Sequence, residues 1–264
     1  MRISWLTDIH LNFLRTANGA EQFIKYVKLE TECDAIVVTG DISEAPTLEE
    51  HLKQMLAPGI PIYFIVGNHD FYGGSFGGVY KLLDDKFKDK GWLGAPGVIA
   101  PLTRNTVLVG QDGWYDATAA DPMESKLFMS DWALISDFRG MGKQRLVEKC
   151  RFLAQREAGL AKDKLMRAAQ TGDNVIFATH YPPFVGACWH EGGISDKHYL
   201  PWFTNLIMGD VLMEVAYEFP NVQFTVLCGH THSGGIYKAA ENLVVKTGPS
   251  LYGRPDIAGF FDVK

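Results

Sequence analysis

The sequence lacks the features that mark membrane and secreted proteins. Its 264 residues contain no run of about 18 apolar residues, so no membrane-spanning helix is expected. The amino terminus reaches Asp8 without an apolar signal core. Widely spaced cysteines without a paired motif are typical of a reducing compartment, so we expect a cytoplasmic protein with four buried, unpaired thiols. These are Cys33, Cys150, Cys188 and Cys228.

The chain also lacks an excess of positive charge. Its formal net charge of −6 argues against a protein that grips a nucleic-acid backbone, which needs a basic face. The glycine-rich stretch Gly73–Gly78 is not followed by the lysine and hydroxyl residue of a P-loop. We therefore expect neither a membrane nor a nucleic-acid partner. The composition is ordinary for a globular protein, and residues 1–264 are expected to form one domain. The sequence does not determine its oligomeric state.

Short apolar strands alternate with helical patterns along the chain. Strands are predicted at 2–7, 35–38 and 60–66, with a helix in each interval. Further strands are predicted at 175–178 and 224–228. Unbroken apolar strands that alternate with helices predict a largely parallel sheet covered on both faces. Because such sheets place ligands at the carboxyl ends of their strands, the residues that follow these strands should lie close together.

A polar cluster follows each of these five strands. Gly67-Asn68-His69-Asp70 places an amide, an imidazole and a carboxylate in a row, and no packing argument explains them at the end of a buried strand. We interpret Asn68 as a metal ligand, His69 as facing the substrate and Asp70 as holding His69. Taken singly, the other clusters are also compatible with structural roles. They are Asp8 with His10, Asp41, His180, and His230 with His232. Nitrogen and oxygen ligands without thiolates suit Mn, Fe or Zn rather than a structural cysteine–zinc site.

The order of these motifs resembles the calcineurin-like metallophosphoesterases over residues 8 to 232. The matching series is Asp8-x-His10, Gly40-Asp41-x-x-Glu44, Gly67-Asn68-His69-Asp70, His180 and Gly229-His230-x-His232. Glu44 stands where many members have Asp, and we do not count it as a ligand. Asp70 stands where many phosphatases of the family have Glu, which points weakly to the phosphodiesterase branches. The resemblance implies an α/β fold, a four-layer αββα sandwich of two mixed β-sheets flanked by helices.

The resemblance also implies how the ligands divide between two divalent metal ions. Asp41 would bridge both ions, and Asn68 would bind through its carbonyl oxygen. One ion would be held by Asp8, His10, Asp41 and His232, and the other by Asp41, Asn68, His180 and His230. Only two of these ligands are charged, so the loaded site stays positive and attracts a phosphoester anion. A hydroxide that bridges the ions would attack phosphorus, and His69, held by Asp70, would assist the leaving group.

The expected function is metal-dependent hydrolysis of a small phosphoester. A small-molecule phosphodiesterase is favoured slightly over a phosphomonoesterase, including a protein phosphatase. A nuclease is disfavoured by the acidic charge, and a non-catalytic scaffold on the same fold would not need the complete ligand set. Residues 113–140 show no clean period and are interpreted either as a substrate-covering insertion or as a packed irregular segment. Tyr72 and Trp114 could stack on a substrate ring or pack in the core.

Overall fold

Two β-sheets and one short hairpin contain the strands of the computed structural model, which describes residues 1–264. The strands are β1 (Arg2–Leu6), β2 (Ala35–Thr39), β3 (Ile62–Ile65), β4 (Ala100–Pro101), β5 (Thr106–Gly110), β6 (Asn174–Ala178), β7 (Trp189–His190), β8 (Gly193–Ile194), β9 (Gln223–Cys228), β10 (Gly235–Ala240), β11 (Leu243–Thr247) and β12 (Gly259–Asp262). All five strands that precede the polar clusters are present.

Helices connect most of these strands. They are α1 (Gly19–Thr31), α2 (Ala45–Leu56), α3 (Phe76–Lys86), α4 (Asp131–Leu134), α5 (Lys143–Ala169), α6 (Leu200–Phe203) and α7 (Leu206–Glu218). None of them combines the length and the apolar composition that crossing a membrane requires. The helix predicted after the second strand begins at Ala45, and Pro46 occupies its first turn, where a missing N–H costs nothing.

Both sheets are mixed. The first has the order β12-β1-β2-β3, and the second has the order β10-β11-β9-β6-β5-β4. Strands β1, β2 and β3 are mutually parallel, as are β11, β9, β6 and β5. The outer strands β12, β10 and β4 run antiparallel to their neighbours. The parallel order predicted for the first three strands is therefore confirmed.

The two sheets face each other across an apolar layer. Alternate residues of a strand point to opposite faces, so Ile3 and Trp5 of β1 meet Leu227 of β9 in this layer. Leu6 points the other way, into the core beneath α1 and α2. Helices α5 and α7 pack on the outer face of the second sheet. The resulting order of helix, sheet, sheet and helix confirms the four-layer αββα sandwich.

Residues 113–140 contain little regular structure. They include α4 and one 3₁₀ turn, Ser136–Phe138. Trp114, Trp132 and Phe138 are buried in the core on the helical side of the first sheet. Parts of this segment are therefore packed irregular structure, and Trp114 is a core residue rather than a ring at the site.

Candidate active site

Four predicted ligands form a compact group at the carboxyl ends of β1, β2 and β9. One ligand atom from each of Asp8, His10, Asp41 and His232 lies within 4.8 Å of the other three. Nε2 of His232 is 3.3 Å from Nε2 of His10 and 3.3 Å from Oδ1 of Asp8. Nitrogen and carboxylate oxygen atoms thus converge from both sheets, which is the arrangement that a divalent cation of borderline softness prefers.

A second group lies beside the first. Oδ1 of Asn68 is 3.1 Å from Nε2 of His180 and 3.1 Å from Nδ1 of His230. Asp41 faces both groups, because its Oδ1 is 3.4 Å from Nε2 of His180 and its Oδ2 is 3.9 Å from Nε2 of His10. The structure therefore brings together all seven residues predicted as metal ligands and places Asp41 between the two groups.

The backbone at these positions is strained. Left-handed φ angles are uncommon outside glycine and cost about 1–3 kcal/mol each. Among the eight non-glycine residues with positive φ, five are predicted ligands: Asp8 (46°), His10 (42°), Asp41 (52°), His230 (69°) and His232 (57°). Strain concentrated in the turns after β1, β2 and β9 indicates that these turns are built to aim side chains.

Two glycines allow the turns to pack closely. A Cβ atom on Gly67 would lie 2.3 Å from Oδ1 of Asp41, and one on Gly229 would lie 2.1 Å from Oδ2 of Asp8. The Asp41 carboxylate therefore lies against the backbone that leads into Asn68, and the Asp8 carboxylate lies against the backbone that leads into His230. These contacts explain why glycine precedes Asn68 and His230.

The electrostatics of the site favour a cation. Burial would raise the pKa of Asp8, but its hydrogen bond to His232 and the charge of His180 lower it to about 2. Burial would also raise the pKa of Asp41, but the charge of His180 and other nearby imidazoles holds it well below its ordinary value. Both carboxylates are therefore ionised at neutral pH. Burial lowers the pKa of His10 to about 4 and that of His230 to about 3, so these imidazoles keep the lone pairs that metal binding requires.

The lone pair of His230 has an unfavourable neighbour unless a cation lies nearby. Nε2 of His230 is 3.2 Å from the carbonyl oxygen of Trp202, and Nδ1 is 3.1 Å from the carbonyl oxygen of Asn68. A neutral imidazole carries one N–H, so one of its two nitrogens turns a lone pair toward a carbonyl oxygen. Two acceptors in this arrangement repel each other, whereas both can bind a divalent ion. The residues present therefore fit a bound metal.

His69 lies at the edge of the metal ligands and is held by aromatic rings. Its ring centroid is 4.2 Å from that of Tyr72 and 4.6 Å from that of His10. Its Nε2 is 3.4 Å from the hydroxyl of Tyr252 and 3.9 Å from Oδ2 of Asp41. His69 therefore lies beside the predicted metal ligands.

The expectation that Asp70 holds the His69 ring is wrong. The buried Asp70 carboxylate instead accepts hydrogen bonds from the backbone N–H groups of Ser43 (2.8 Å), Gly67 (2.9 Å) and Ile42 (3.2 Å). Nδ1 of His69 has no hydrogen-bond partner. Asp70 thus ties the turn after β2 to the turn after β3, because three backbone donors converge on it there, and it acts on the shape of the site rather than on the imidazole.

A cleft of about 270 Å³ opens over the ligands. About half of its lining residues are apolar or aromatic, and none is Lys or Arg. Residues 127–130 form one wall, and Tyr199, Phe203 and Tyr252 contribute to others. Sequence reasoning missed Tyr199, Phe203 and Tyr252, because none of them lies within a motif. Tyr72, for which the sequence allowed either stacking on a substrate ring or packing in the core, also lines the cleft.

Comparison with known proteins agrees with this geometry. The family model described as calcineurin-like phosphoesterase matches residues 1–234, and the chain belongs to this family. It is therefore a metal-dependent hydrolase of phosphoric ester bonds. No curated protein matches the chain closely enough to be counted as a relative.

Two solved structures share the fold at low sequence identity. A dimetal phosphatase from Danio rerio is 17% identical, with a TM-score of 0.58, over 94% of this chain and 87% of its own. GAP50, described as the anchor in the inner membrane complex of Plasmodium, is 15% identical, with a TM-score of 0.51, over 94% of this chain and 70% of its own.

Proposed function

We propose that the chain hydrolyses its substrate with two divalent ions held by the seven converging residues. The observation that carries this proposal is the position of His230 between two carbonyl oxygens, 3.1 Å from Asn68 and 3.2 Å from Trp202, because the single N–H of a neutral ring satisfies one of them and a cation beside Nδ1 would satisfy the other. Nitrogen and oxygen donors suit Mn, Fe or Zn. We assign Asp8, His10, Asp41 and His232 to the first ion, and Asp41, Asn68, His180 and His230 to the second.

Side chains beside the metal ligands supply the remaining functions, which are proton donation and orientation of the proton donor. Ions in such sites polarise the phosphoryl oxygens and lower the pKa of a bound water. His69 presents its Nε2 beside Asp41 and donates a proton from this atom to the leaving oxygen. The Tyr72 ring packs against the His69 ring at a tilt and supports its orientation, a function that Asp70 does not supply.

The cleft walls favour a phosphodiester over a phosphomonoester. A cleft without Lys or Arg offers no cation of its own, so the metal centre has to neutralise all of the substrate's charge. A diester carries one negative charge and two organic groups, which suits one charged centre with aromatic walls. We further propose that residues 127–130 are the substrate-covering part of segment 113–140, since they line the cleft.

Hydrolysis of two model substrates tests this proposal. Bis(p-nitrophenyl) phosphate and p-nitrophenyl phosphate are compared with Mn²⁺ added to chelator-stripped protein. We expect turnover that requires the metal, that is faster for the diester, and that is lost in Asp41→Ala. Asp137→Asn is the matched control, because Asp137 caps α3 by accepting from the N–H of Phe76 and does not line the cleft. Faster turnover of the monoester would overturn the diester preference.

A non-catalytic scaffold is the second candidate function. GAP50 shares the fold and is described as an anchor, so the fold is compatible with such a function. The complete, converging ligand set favours the enzyme. Metal analysis separates the two candidates: wild-type protein that binds no ions after dialysis against Mn²⁺ and turns over neither substrate would support the scaffold.

A further inference from the structure

Asp131 is fully buried beside the metal ligands although it belongs to none of the sequence motifs. It begins α4 and directly follows the cleft wall of residues 127–130. Its Oδ1 accepts a hydrogen bond from Nδ2 of Asn68 at 2.9 Å and another from the hydroxyl of Tyr72 at 2.6 Å. Nδ2 of Asn68 also donates to the Tyr72 oxygen at 3.1 Å, which closes a three-membered network.

This network fixes which end of the Asn68 amide faces the metal ligands. The Asp131 carboxylate oxygen accepts hydrogen bonds. The Tyr72 O–H donates to Asp131, so the Tyr72 oxygen is left as an acceptor toward Asn68. Both neighbours therefore select the NH₂ end of the amide. The carbonyl oxygen must then point the opposite way, toward His180 and His230. A reversed amide would set its oxygen against Asp131 and its N–H groups against the cation position.

We propose that Asp131 is a positioning residue that holds the Asn68 carbonyl oxygen toward the second metal ion. The inference rests on the proposed two-metal function. Partners that orient metal ligands typically contribute about 10–100-fold in metal affinity. Because residues 127–130 precede Asp131 directly, the same contact also anchors one cleft wall to the metal centre.

The test is calorimetric titration of chelator-stripped protein with Mn²⁺. In Asp131→Ala we expect one of the two binding events to weaken about 10–100-fold while the other keeps its wild-type affinity. In Asp131→Asn we expect both events to stay near wild type, because the amide oxygen can accept the same two hydrogen bonds. Asp137→Ala, which removes a carboxylate from the same segment, is the matched control and should bind both ions normally.

The outcomes separate this inference from the function on which it rests. Two wild-type binding events that persist unchanged in Asp131→Ala would overturn the inference and leave the two-metal function standing. A wild-type protein that binds no Mn²⁺ would overturn the function itself. If circular dichroism shows that Asp131→Ala does not fold, Asp131→Leu decides, because leucine fills the buried position but accepts no hydrogen bond from Nδ2 of Asn68. It should weaken the same single event, and unchanged binding would count against the inference.

Discussion

The protein buries two polar clusters, and they satisfy their charges in different ways. At the metal centre, acceptors face one another and five turn residues have left-handed backbone angles. In the second cluster, which we call the Lys164 cluster (Lys164, Gln111 and Glu157), hydrogen-bond donors meet acceptors. Nζ of Lys164 donates to the carbonyl oxygens of Leu93 (2.7 Å) and Gly110 (2.9 Å) and to Oε1 of Gln111 (2.7 Å).

Glu157 completes the contrast. Its carboxylate accepts from Nε2 of Gln111 on one side and from Nε of Arg156 on the other. A buried group with complementary partners needs nothing further, whereas facing acceptors need a cation. The difference teaches that burial of charge alone does not mark the functional site.

Replacing Asp41 should have the largest effect. Asp41→Ala removes the carboxylate that faces both ligand groups, so we expect loss of metal binding and of measurable turnover. Metal content by mass spectrometry and hydrolysis of bis(p-nitrophenyl) phosphate check this. Retention of two ions and of activity would show that Asp41 is not needed to bind the cations. The proposed difference between the two clusters would then be wrong.

His69→Ala should lower kcat by about 10²–10⁴-fold, the usual contribution of a positioned general acid. Metal content should stay at the wild-type level, because His69 is not among the seven proposed ligands. Kinetics and metal analysis of the same preparation distinguish a proton donor from a ligand. A loss of bound metal in this variant would assign His69 to the ligand set instead.

Lys164→Met should destabilise the fold without affecting the chemistry. Removing one member of a buried charged network typically costs about 3–5 kcal/mol, and we expect kcat to stay unchanged. Lys162→Met is the matched control on α5, since its partner Glu214 is exposed and such a pair contributes at most about 1 kcal/mol. Urea unfolding measures both variants, and equal stabilities would contradict the structural function of the Lys164 cluster.

A smaller effect concerns pH. Burial and the nearby charge of Glu157 raise the pKa of Asp112 from 3.8 to about 7. A raised folded-state pKa contributes stability that is present at low pH and lost as pH rises toward 7. Asp112→Asn does not titrate and keeps an oxygen for the N–H of Val66. Its stability relative to wild type should therefore increase from pH 5 to pH 7. A difference that stays constant in urea unfolding at these pH values would contradict this assignment.

The sequence by itself determined the strands and the ligand series. Asp8, Asp41 and Asn68 each follow an apolar strand within a few residues, so local pattern was enough to place them at one sheet edge. The division of the fold into two facing sheets came from the family resemblance rather than from periodicity. It was confirmed because Ile3 and Leu227 meet between the sheets.

Only the tertiary structure decided what surrounds the ligands. Asp131 contacts Asn68 from 63 positions along the chain, and Tyr252 meets His69 from 183 positions away. Asp70 was assigned to its sequence neighbour His69, yet its carboxylate accepts a hydrogen bond from the backbone N–H of Ser43 in the turn after β2. Pattern and spacing record what a residue's own strand or helix requires. A hydrogen bond between distant segments depends on how the chain closes in three dimensions, and no local signal carries that information.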